Sequence, residues 1–284
     1  MFNKKNLARL KIKNKSTITP LLSLKIITTA LLLLITSATS AAEKAQILET
    51  LTLKKSDKSE LNLSGLTAQV WSDGNIVVSG KGEYPVSAPT YVVKYQVNLK
   101  DKTYTAKNID PSVLKLEEKT QPQESINRVN SNPKVLNLSN PKKIQSTSTG
   151  YYTARVMVRA YDPVNIKLTE TSNRLNWYVY SNGTVDWTSY QLNWWSANPT
   201  SLGTHWYISS TSHSGPYPVA NSTQVYHNMT GNYYNYDFVF PNWITTVKQF
   251  AAITGNNNAT FGYSWSHSDD GEGNWLITGW LVLN

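Results

Sequence analysis

Hydrophobic and polar residues alternate along most of the chain beyond residue 42, a period of two that is typical of β-strands with one buried face. Residues 91–99, YVVKYQVNL, place Tyr, Val or Leu at every second position, and residues 154–160, ARVMVRA, alternate Ala and Val with Arg and Met. Similar short runs recur between turn-rich intervals. The pattern predicts an all-β protein whose main part is an antiparallel β-sandwich, with a barrel as the alternative.

Composition divides the chain beyond residue 42 into three segments. Residues 43–107 contain roughly four strands and predict a small antiparallel β-sheet domain. Residues 108–149 are rich in Pro, Asn, Ser and Lys and predict a linker, because such a segment buries little apolar area. Residues 150–284 hold nine of the ten tryptophans and predict an aromatic-rich β-sandwich domain.

One short helix is expected within the predicted linker. The sequence DPSVLKLEEK places Asp110 as a helix N-cap and Pro111 at the first helical position, which predicts one or two helical turns. The run VLNL at residues 135–138 is a candidate strand that would pair with either neighbouring segment.

Residues 1–42 have the organisation of a secretory signal peptide. They carry seven Lys or Arg and no acid, then the apolar run IITTALLLLI, then small residues. The apolar run is too short for a membrane-spanning helix, which needs about twenty residues. We therefore expect cleavage near Ala42 and a secreted, extracellular or periplasmic protein. The alternative is an uncleaved N-terminal anchor.

A hairpin is predicted around the pair Asn182-Gly183, a strong signal for a two-residue turn. With such a turn, the numbers of opposed residues add to 365. Trp187 would then face Tyr178, and both would share one face with Tyr180 and Val185.

Three pairs of adjacent aromatic residues lie within predicted strands. Successive side chains of a strand point to opposite faces, so the two members of a pair cannot share one core. One member of each pair needs solvent, a second layer or a ligand. The candidates for an exposed aromatic platform are Trp194, Trp195, Trp206, Tyr207, Tyr233 and Tyr234.

Such a platform suits carbohydrate, because sugar rings dock on flat aromatic faces while neighbouring Asn, Gln and Asp bind their hydroxyls. The sequence therefore favours a non-catalytic binding protein for carbohydrate or cell-surface material. Burial of both faces by other parts of the chain is the structural alternative. The LNWW element at residues 192–195, with its neighbouring tyrosines, is similar to the aromatic membrane-contact surface of small pore-forming β-sandwich cytolysins. That similarity implies a membrane-interacting, toxin-like protein, although the amphipathic N-terminal helix that those toxins insert is missing from EKAQILETLTLKK.

Charge and cysteine content exclude several other functions. The chain has a net charge of +9, but without residues 1–42 it has 20 bases and 18 acids, a net charge of +2. The aromatic-rich segment has no cluster of Lys and Arg to neutralise phosphates, so nucleic acid is not an expected partner. Cysteine is absent, which excludes disulfides, thiol catalysis and cysteine-based zinc sites.

The loop SHSDDGEGNW holds a weak candidate calcium site. Asp270, Glu272 and Asn274 alternate with glycines, and calcium prefers oxygen ligands of this kind. The spacing departs from that of an EF-hand loop. A polar, glycine-rich turn between two strands is the stronger expectation.

Catalysis has little support in the sequence. The four histidines, at positions 205, 213, 227 and 267, show no zinc-hydrolase spacing and are expected to be isolated polar or surface residues. Seven acids in residues 151–284 allow a hydrolase that uses a carboxylate pair, but the sequence does not show which two would meet. Asp162, which precedes Pro163, is expected to form a turn.

Overall fold

The computed structural model describes residues 45–63, 65–117, 123–132, 149–197, 205–237, 241–272 and 277–284. The predicted signal peptide, the strand candidate at residues 135–138 and the metal candidate Asn274 lie outside these ranges. Nearly all of the described secondary structure is β-strand.

Fifteen strands and one helix follow one another along the described chain. Their bounds are β1 Ile47–Thr52, β2 Lys54–Lys55, β3 Thr67–Trp71, β4 Ile76–Pro85, β5 Tyr91–Asn98, β6 Thr103–Asn108, α1 Ser112–Glu117, β7 Gln123–Ser131, β8 Gly150–Tyr161, β9 Lys167–Val179, β10 Val185–Ala197, β11 Tyr207–Val219, β12 Gln224–Asn235, β13 Thr245–Asn256, β14 Thr260–Gly271 and β15 Thr278–Leu283.

The strands form two sheets that pack face to face. The first sheet has seven strands in the order β1-β3-β4-β14-β13-β12-β11, and the second has eight in the order β2-β6-β5-β15-β8-β9-β10-β7. Neighbouring strands are antiparallel, except that β2 and β6 are parallel. Neither sheet closes on itself, so the predicted all-β sandwich is confirmed and the barrel alternative is not observed.

The alternation of side chains explains which face of each strand is buried. In β12 the odd-numbered residues are buried and the even-numbered ones are half-buried, so Val225, Met229 and Tyr233 enter the core. The core between the sheets also holds the largest apolar side chains of the second sheet, among them Trp177 and Leu192. Burial of this apolar surface is the main favourable contribution to the stability of the sandwich.

The short helix covers part of the outer face of the second sheet. The backbone N–H of Ser112 donates to the Asp110 carboxylate at 2.9 Å, which confirms the predicted N-terminal cap. Leu114 of α1 packs on a small apolar cluster that includes Tyr161 and Trp280, whose rings stack with centroids 3.9 Å apart. The helix thus shields this part of the sheet from water.

The organisation of residues 43–149 differs from the predicted small domain and linker. Strands β1, β3 and β4 belong to the first sheet, whereas β2, β5 and β6 belong to the second. β4 pairs with β14 and β5 pairs with β15, so the strands of residues 47–108 share both sheets with residues 150–283. Within the predicted linker, β7 pairs with β10 along nine residues. The physical reason is that β14, β15 and β10 would otherwise each have an edge with unpaired backbone N–H and C=O groups, and β4, β5 and β7 pair with those groups.

The hairpin between β9 and β10 has a three-residue turn rather than the predicted two-residue turn. The N–H of Gly183 donates to the carbonyl of Tyr180, and Gly183 has the positive φ of 80° that glycine tolerates. Trp187 therefore pairs with Trp177, and the predicted pairing of Trp187 with Tyr178 is wrong. A bulge after Trp187 then restores the expected register.

Candidate functional site

Trp194 and Trp195 lie on opposite faces of β10, as the alternation of a strand requires. Trp194 enters the core, where its Nε1 donates to the carbonyl of Thr230 at 2.9 Å. Trp195 lies on the outer face, where the Lys167 ammonium is 3.9 Å from the centre of a Trp195 ring. The two side chains are only 0% and 3% exposed. Other residues of this chain therefore cover the outward-facing Trp195, and neither tryptophan belongs to an exposed platform.

Trp195 borders a buried charged cluster on the outer face of the second sheet. The Glu170 carboxylate lies 2.7 Å from Arg159, 3.4 Å from Lys167 and 3.9 Å from Arg155. Burial alone would raise the pKa of Glu170, but the three cations outweigh burial and hold that pKa well below its usual range. The cluster therefore remains charged at neutral pH and occupies this face with ion pairs.

Trp206 and Tyr233 are also buried, so the prediction that they belong to an exposed platform is wrong for these two residues as well. Trp206 packs in the core with no exposed surface. The Tyr233 hydroxyl donates to the carbonyl of Glu170 at 2.6 Å, across the interface between the sheets. Their neighbours Tyr207 and Tyr234 point the other way, away from the core, and are half-buried.

Tyr207 and Tyr234 meet Tyr236 on the outer face of the first sheet, and we call these three residues the tyrosine cluster. Tyr207 and Tyr234 are paired across β11 and β12, with ring centroids 5.3 Å apart. The rings of Tyr207 and Tyr236 have centroids 5.7 Å apart and planes within 10° of parallel, and their hydroxyls are 3.2 Å apart. Tyr236 is 43% exposed. The cluster therefore places three tyrosine rings together at the surface, with Tyr236 the most exposed of them.

Tyr236 is a member of the cluster that the sequence prediction missed. It follows Tyr234 by two residues in the run NYYNYD, and the period of two puts such residues on one side of an extended chain. The alternation of side chains along a strand could therefore have placed Tyr236 on the same face as Tyr234. His205 lies beside Tyr236 with its ring plane within 6° of parallel at a centroid distance of 6.5 Å, and adds a fourth ring to the group.

The surface next to the tyrosine cluster is rich in uncharged hydrogen-bonding groups. Along the hairpin of β11 and β12, the outward residues beyond Tyr207 and Tyr234 are Ser210, Ser212, Ser214, Asn228, Thr230 and Asn232. Asn232 donates to the Ser210 hydroxyl at 2.7 Å. At the far end of the hairpin, Tyr217 and Tyr226 form a second aromatic pair with centroids 5.6 Å apart. Lys248 of β13, opposite Asn232, adds one charge at the border.

Tyrosine rather than tryptophan supplies the exposed aromatic surface. Six of the nine tryptophans that the structure describes are buried, and the other three are half-buried. The exposed aromatic residues among the described ones are Tyr151, Tyr217 and Tyr236. A tryptophan-rich rim of the kind expected for a membrane-contact surface is therefore not formed by the described residues.

Two of the three predicted calcium ligands have local structural roles. The Asp270 carboxylate accepts from the N–H of Gly271, and the Glu272 carboxylate accepts from the N–H of Ile244 at 3.0 Å, which joins two neighbouring turns. Asn274 lies outside the described residues. Within those ranges no group of three or more His, Asp or Glu residues is placed to hold a metal ion.

Three of the four histidines are inside the sandwich or at its edge, rather than at the surface as expected. His227 is buried, with Nδ1 2.8 Å from the Asn173 side-chain oxygen and its ring 5.9 Å from that of His213. Burial lowers the pKa of His227 to about 4, and the nearby His213 adds to this effect. His267 is buried at the inner face of β14, and burial also lowers its pKa to about 4.

Three of the candidate acids have positions that argue against the predicted catalytic pair. Asp162 accepts hydrogen bonds from the N–H groups of Val164 and Ile166, as expected for a turn former. Asp269 and Asp270 are adjacent in β14, so their side chains point to opposite faces of the sheet. This adjacent pair therefore cannot flank one scissile bond.

Comparisons with known proteins add no functional information. No protein-family model matches the sequence, and neither the curated proteins nor the solved structures contain a match. None of the helices that the structure describes is long and apolar enough to cross a membrane.

Proposed function

We propose that this protein is a non-catalytic binding protein for an uncharged polysaccharide, which docks on the tyrosine cluster. The observation that carries the proposal is the group of three adjacent rings formed by Tyr207, Tyr234 and Tyr236 on the outer face of the first sheet. The electron-rich faces of such rings attract the C–H groups of a sugar. The predicted secretion of the protein agrees with an extracellular or cell-surface ligand.

The surface beyond the cluster fits an extended chain of sugars. Its Ser, Thr and Asn side chains both donate and accept hydrogen bonds, as sugar hydroxyls do. Tyr226 lies eight residues from Tyr234 along β12, about 27 Å at the rise of an antiparallel strand, and Tyr217 of β11 is paired with Tyr226. A polysaccharide lying along the hairpin would therefore contact aromatic rings at both ends and hydroxyl or amide groups between them.

Retention of the purified protein in gels that contain soluble polysaccharides, and on insoluble ones, tests the proposal. We expect retention by at least one neutral polysaccharide, and a loss of about tenfold in affinity when Tyr234→Ala or Tyr236→Ala removes a ring, since one stacked ring contributes about 1 kcal/mol or more. Tyr151→Ala is the matched control, because Tyr151 is 63% exposed but lies on the second sheet. It should leave the retention unchanged.

Two results would contradict the proposal. The first is a failure of every neutral polysaccharide and of a glycan array to bind. The second is binding that the cluster variants do not weaken. Flotation with liposomes that depends on Tyr236 would instead identify the alternative function, contact with a membrane surface.

A further inference from the structure

A cleft between the two sheets lies away from the tyrosine cluster, on the inner side of the first sheet. It has a cavity volume of about 520 Å³ and is lined by β4 and β14 on one wall and by β5, β6 and β15 on the other. This volume lies within the range of about 300–1,000 Å³ that is usual for small-molecule sites. We call it the inter-sheet cleft.

Two side chains that line this cleft, one on each wall, carry buried polar atoms without partners among the described residues. Both ring nitrogens of His267 and the hydroxyl of Tyr95 are buried and make no hydrogen bond with any described residue, and each of the two residues is only 4% exposed. Leaving such an atom unpaired costs about 1–3 kcal/mol, so native proteins rarely do so without a reason. A ligand that satisfies these atoms would recover that cost.

Asp269 adds a carboxyl group to the same wall as His267. The two residues are separated by one position in β14 and both line the cleft. The Asp269 side chain keeps some contact with solvent, but its surroundings are dense enough that burial, with the charge of Asp270 adding to it, raises its pKa to about 7. The carboxyl therefore takes up a proton much more readily near neutral pH than an exposed aspartate does.

Close packing holds the Tyr95 ring in place. Gly279 lies against the ring, and a Cβ there would overlap the phenol. The ring also contacts Trp265, with centroids 4.8 Å apart, and Trp265 in turn packs on Gly80, where a Cβ would lie 2.8 Å from the indole Nε1. The hydroxyl is therefore positioned before any ligand arrives, which lowers the entropy cost of binding.

The chemistry of the walls selects the class of ligand. No Lys or Arg occurs among the described residues that line the cleft, so an anion would find no opposite charge. A neutral imidazole and a phenol each offer one donor and one acceptor, and a hydroxyl group can pair with both, whereas an ammonium group, which only donates, leaves the donors unpaired. Val78 and Val97 provide apolar surface for C–H groups.

We propose that the inter-sheet cleft binds a small, uncharged, hydroxyl-rich molecule of about the size of one sugar ring, held by Tyr95, His267 and Asp269. The molecule is either a free sugar or polyol, or the terminal unit of a glycan. The site is independent of the proposed function, because the cleft and the tyrosine cluster lie on opposite faces of the first sheet.

Titration of the purified protein with neutral sugars and polyols tests this site. The probes are D-glucose, D-galactose, N-acetylglucosamine and glycerol, and the readout is the NMR signals of the His267 ring. We expect saturable shifts with at least one probe, and binding about five- to tenfold weaker in Tyr95→Phe, which removes one hydrogen bond and little volume. Asp269→Asn should also weaken binding, and Tyr151→Phe, at an exposed hydroxyl, should not.

Further arms of the same experiment identify the source of the ligand and test whether the cleft binds independently of the tyrosine cluster. Oligosaccharides that end in the bound sugar will bind as well as the monosaccharide if the cleft takes chain ends, and more weakly if it takes free molecules. Tyr236→Ala should leave the His267 shifts unchanged, and Tyr95→Phe should leave retention by polysaccharides unchanged. Failure of one proposal is thus distinguishable from failure of the other.

Three outcomes would overturn the proposal. In the first, no neutral probe shifts the His267 signals, which would mean that the cleft holds only water. In the second, the shifts persist at full strength in both Tyr95→Phe and Asp269→Asn. In the third, methylamine or phosphate binds while the neutral probes do not.

Discussion

Glu170 shows at the residue scale how this protein stabilises a charge inside an all-β fold. Its carboxylate is 4% exposed and lies within 4 Å of three cations, one of which, Lys167, also covers the ring of Trp195. Removing one partner of a buried ion pair leaves an uncompensated charge, which costs far more than the pair itself contributes.

Replacing Glu170 by Gln should therefore lower the free energy of unfolding by about 3 kcal/mol or more, because the three cations lose their buried counter-charge. Unfolding by urea at pH 7 measures this. The matched control is Glu49→Gln, since Glu49 pairs with Lys102 at 3.2 Å but both side chains are more than half exposed. The control should cost less than about 1 kcal/mol. Equal effects of the two changes would contradict the buried network.

The strand β14 shows at the element scale how the alternation of side chains places neighbouring residues on two different surfaces. Its inward residues His267 and Asp269 line one wall of the inter-sheet cleft, while Asp270 points outward and is exposed. The two inward titratable groups shift in opposite directions. Burial lowers the pKa of His267 to about 4 and raises that of Asp269 to about 7.

These shifts predict opposite contributions to stability against pH. Between its folded pKa of about 4 and its ordinary value of 6.5, His267 binds a proton only in the unfolded chain, so its contribution to stability is lost as pH falls through this window. Asp269 binds its proton only in the folded chain between 3.8 and about 7, so its contribution is lost as pH rises. His227, with a pKa of about 4, acts like His267.

The change Asp269→Asn should therefore steepen the rise of stability between about pH 4.5 and pH 6.5. The difference from the unmodified protein should grow by up to about 1.4 kcal/mol per pH unit, the value for one proton. Urea unfolding at several pH values measures it. Asp270→Asn, at the exposed neighbour, is the control and should leave most of the slope unchanged. Parallel curves for Asp269→Asn would contradict the assignment.

The two sheets show at the scale of the whole molecule that distant parts of the chain complete one sandwich. β4 lies between β3 and β14, and β5 lies between β6 and β15. Removing residues 45–117 would expose the edges of both β14 and β15, and open edges of this kind promote aggregation.

A chain of residues 149–284 alone should therefore fail to fold into a stable, monomeric sandwich. We expect broad NMR signals or aggregation on size-exclusion chromatography, compared with a chain of residues 45–284 as the control. Adding residues 45–117 as a separate chain should restore part of the folded signal. A cooperative unfolding transition of the short chain by itself would show instead that residues 150–284 are an independent domain, as their composition suggests.

The sequence was informative where the physics is local. Alternation predicted the all-β class and assigned Trp194 and Trp195 to opposite faces, and the N-cap at Asp110 identified α1, because strand direction and capping depend on neighbours in the chain. Turn length was less certain, since a three-residue turn with Gly183 in the left-handed region competes with the two-residue turn.

The tertiary structure decided which faces are covered. Lys167 reaches Trp195 because β9 lies beside β10, and the tyrosine cluster forms because β11 pairs with β12 in one register. The inter-sheet cleft joins Tyr95 of β5 to His267 of β14, residues far apart in the chain. The sequence by itself determined which side chains share a face of a strand. Only the pairing and packing of distant strands determined what each face meets, because those contacts depend on the whole set of strands.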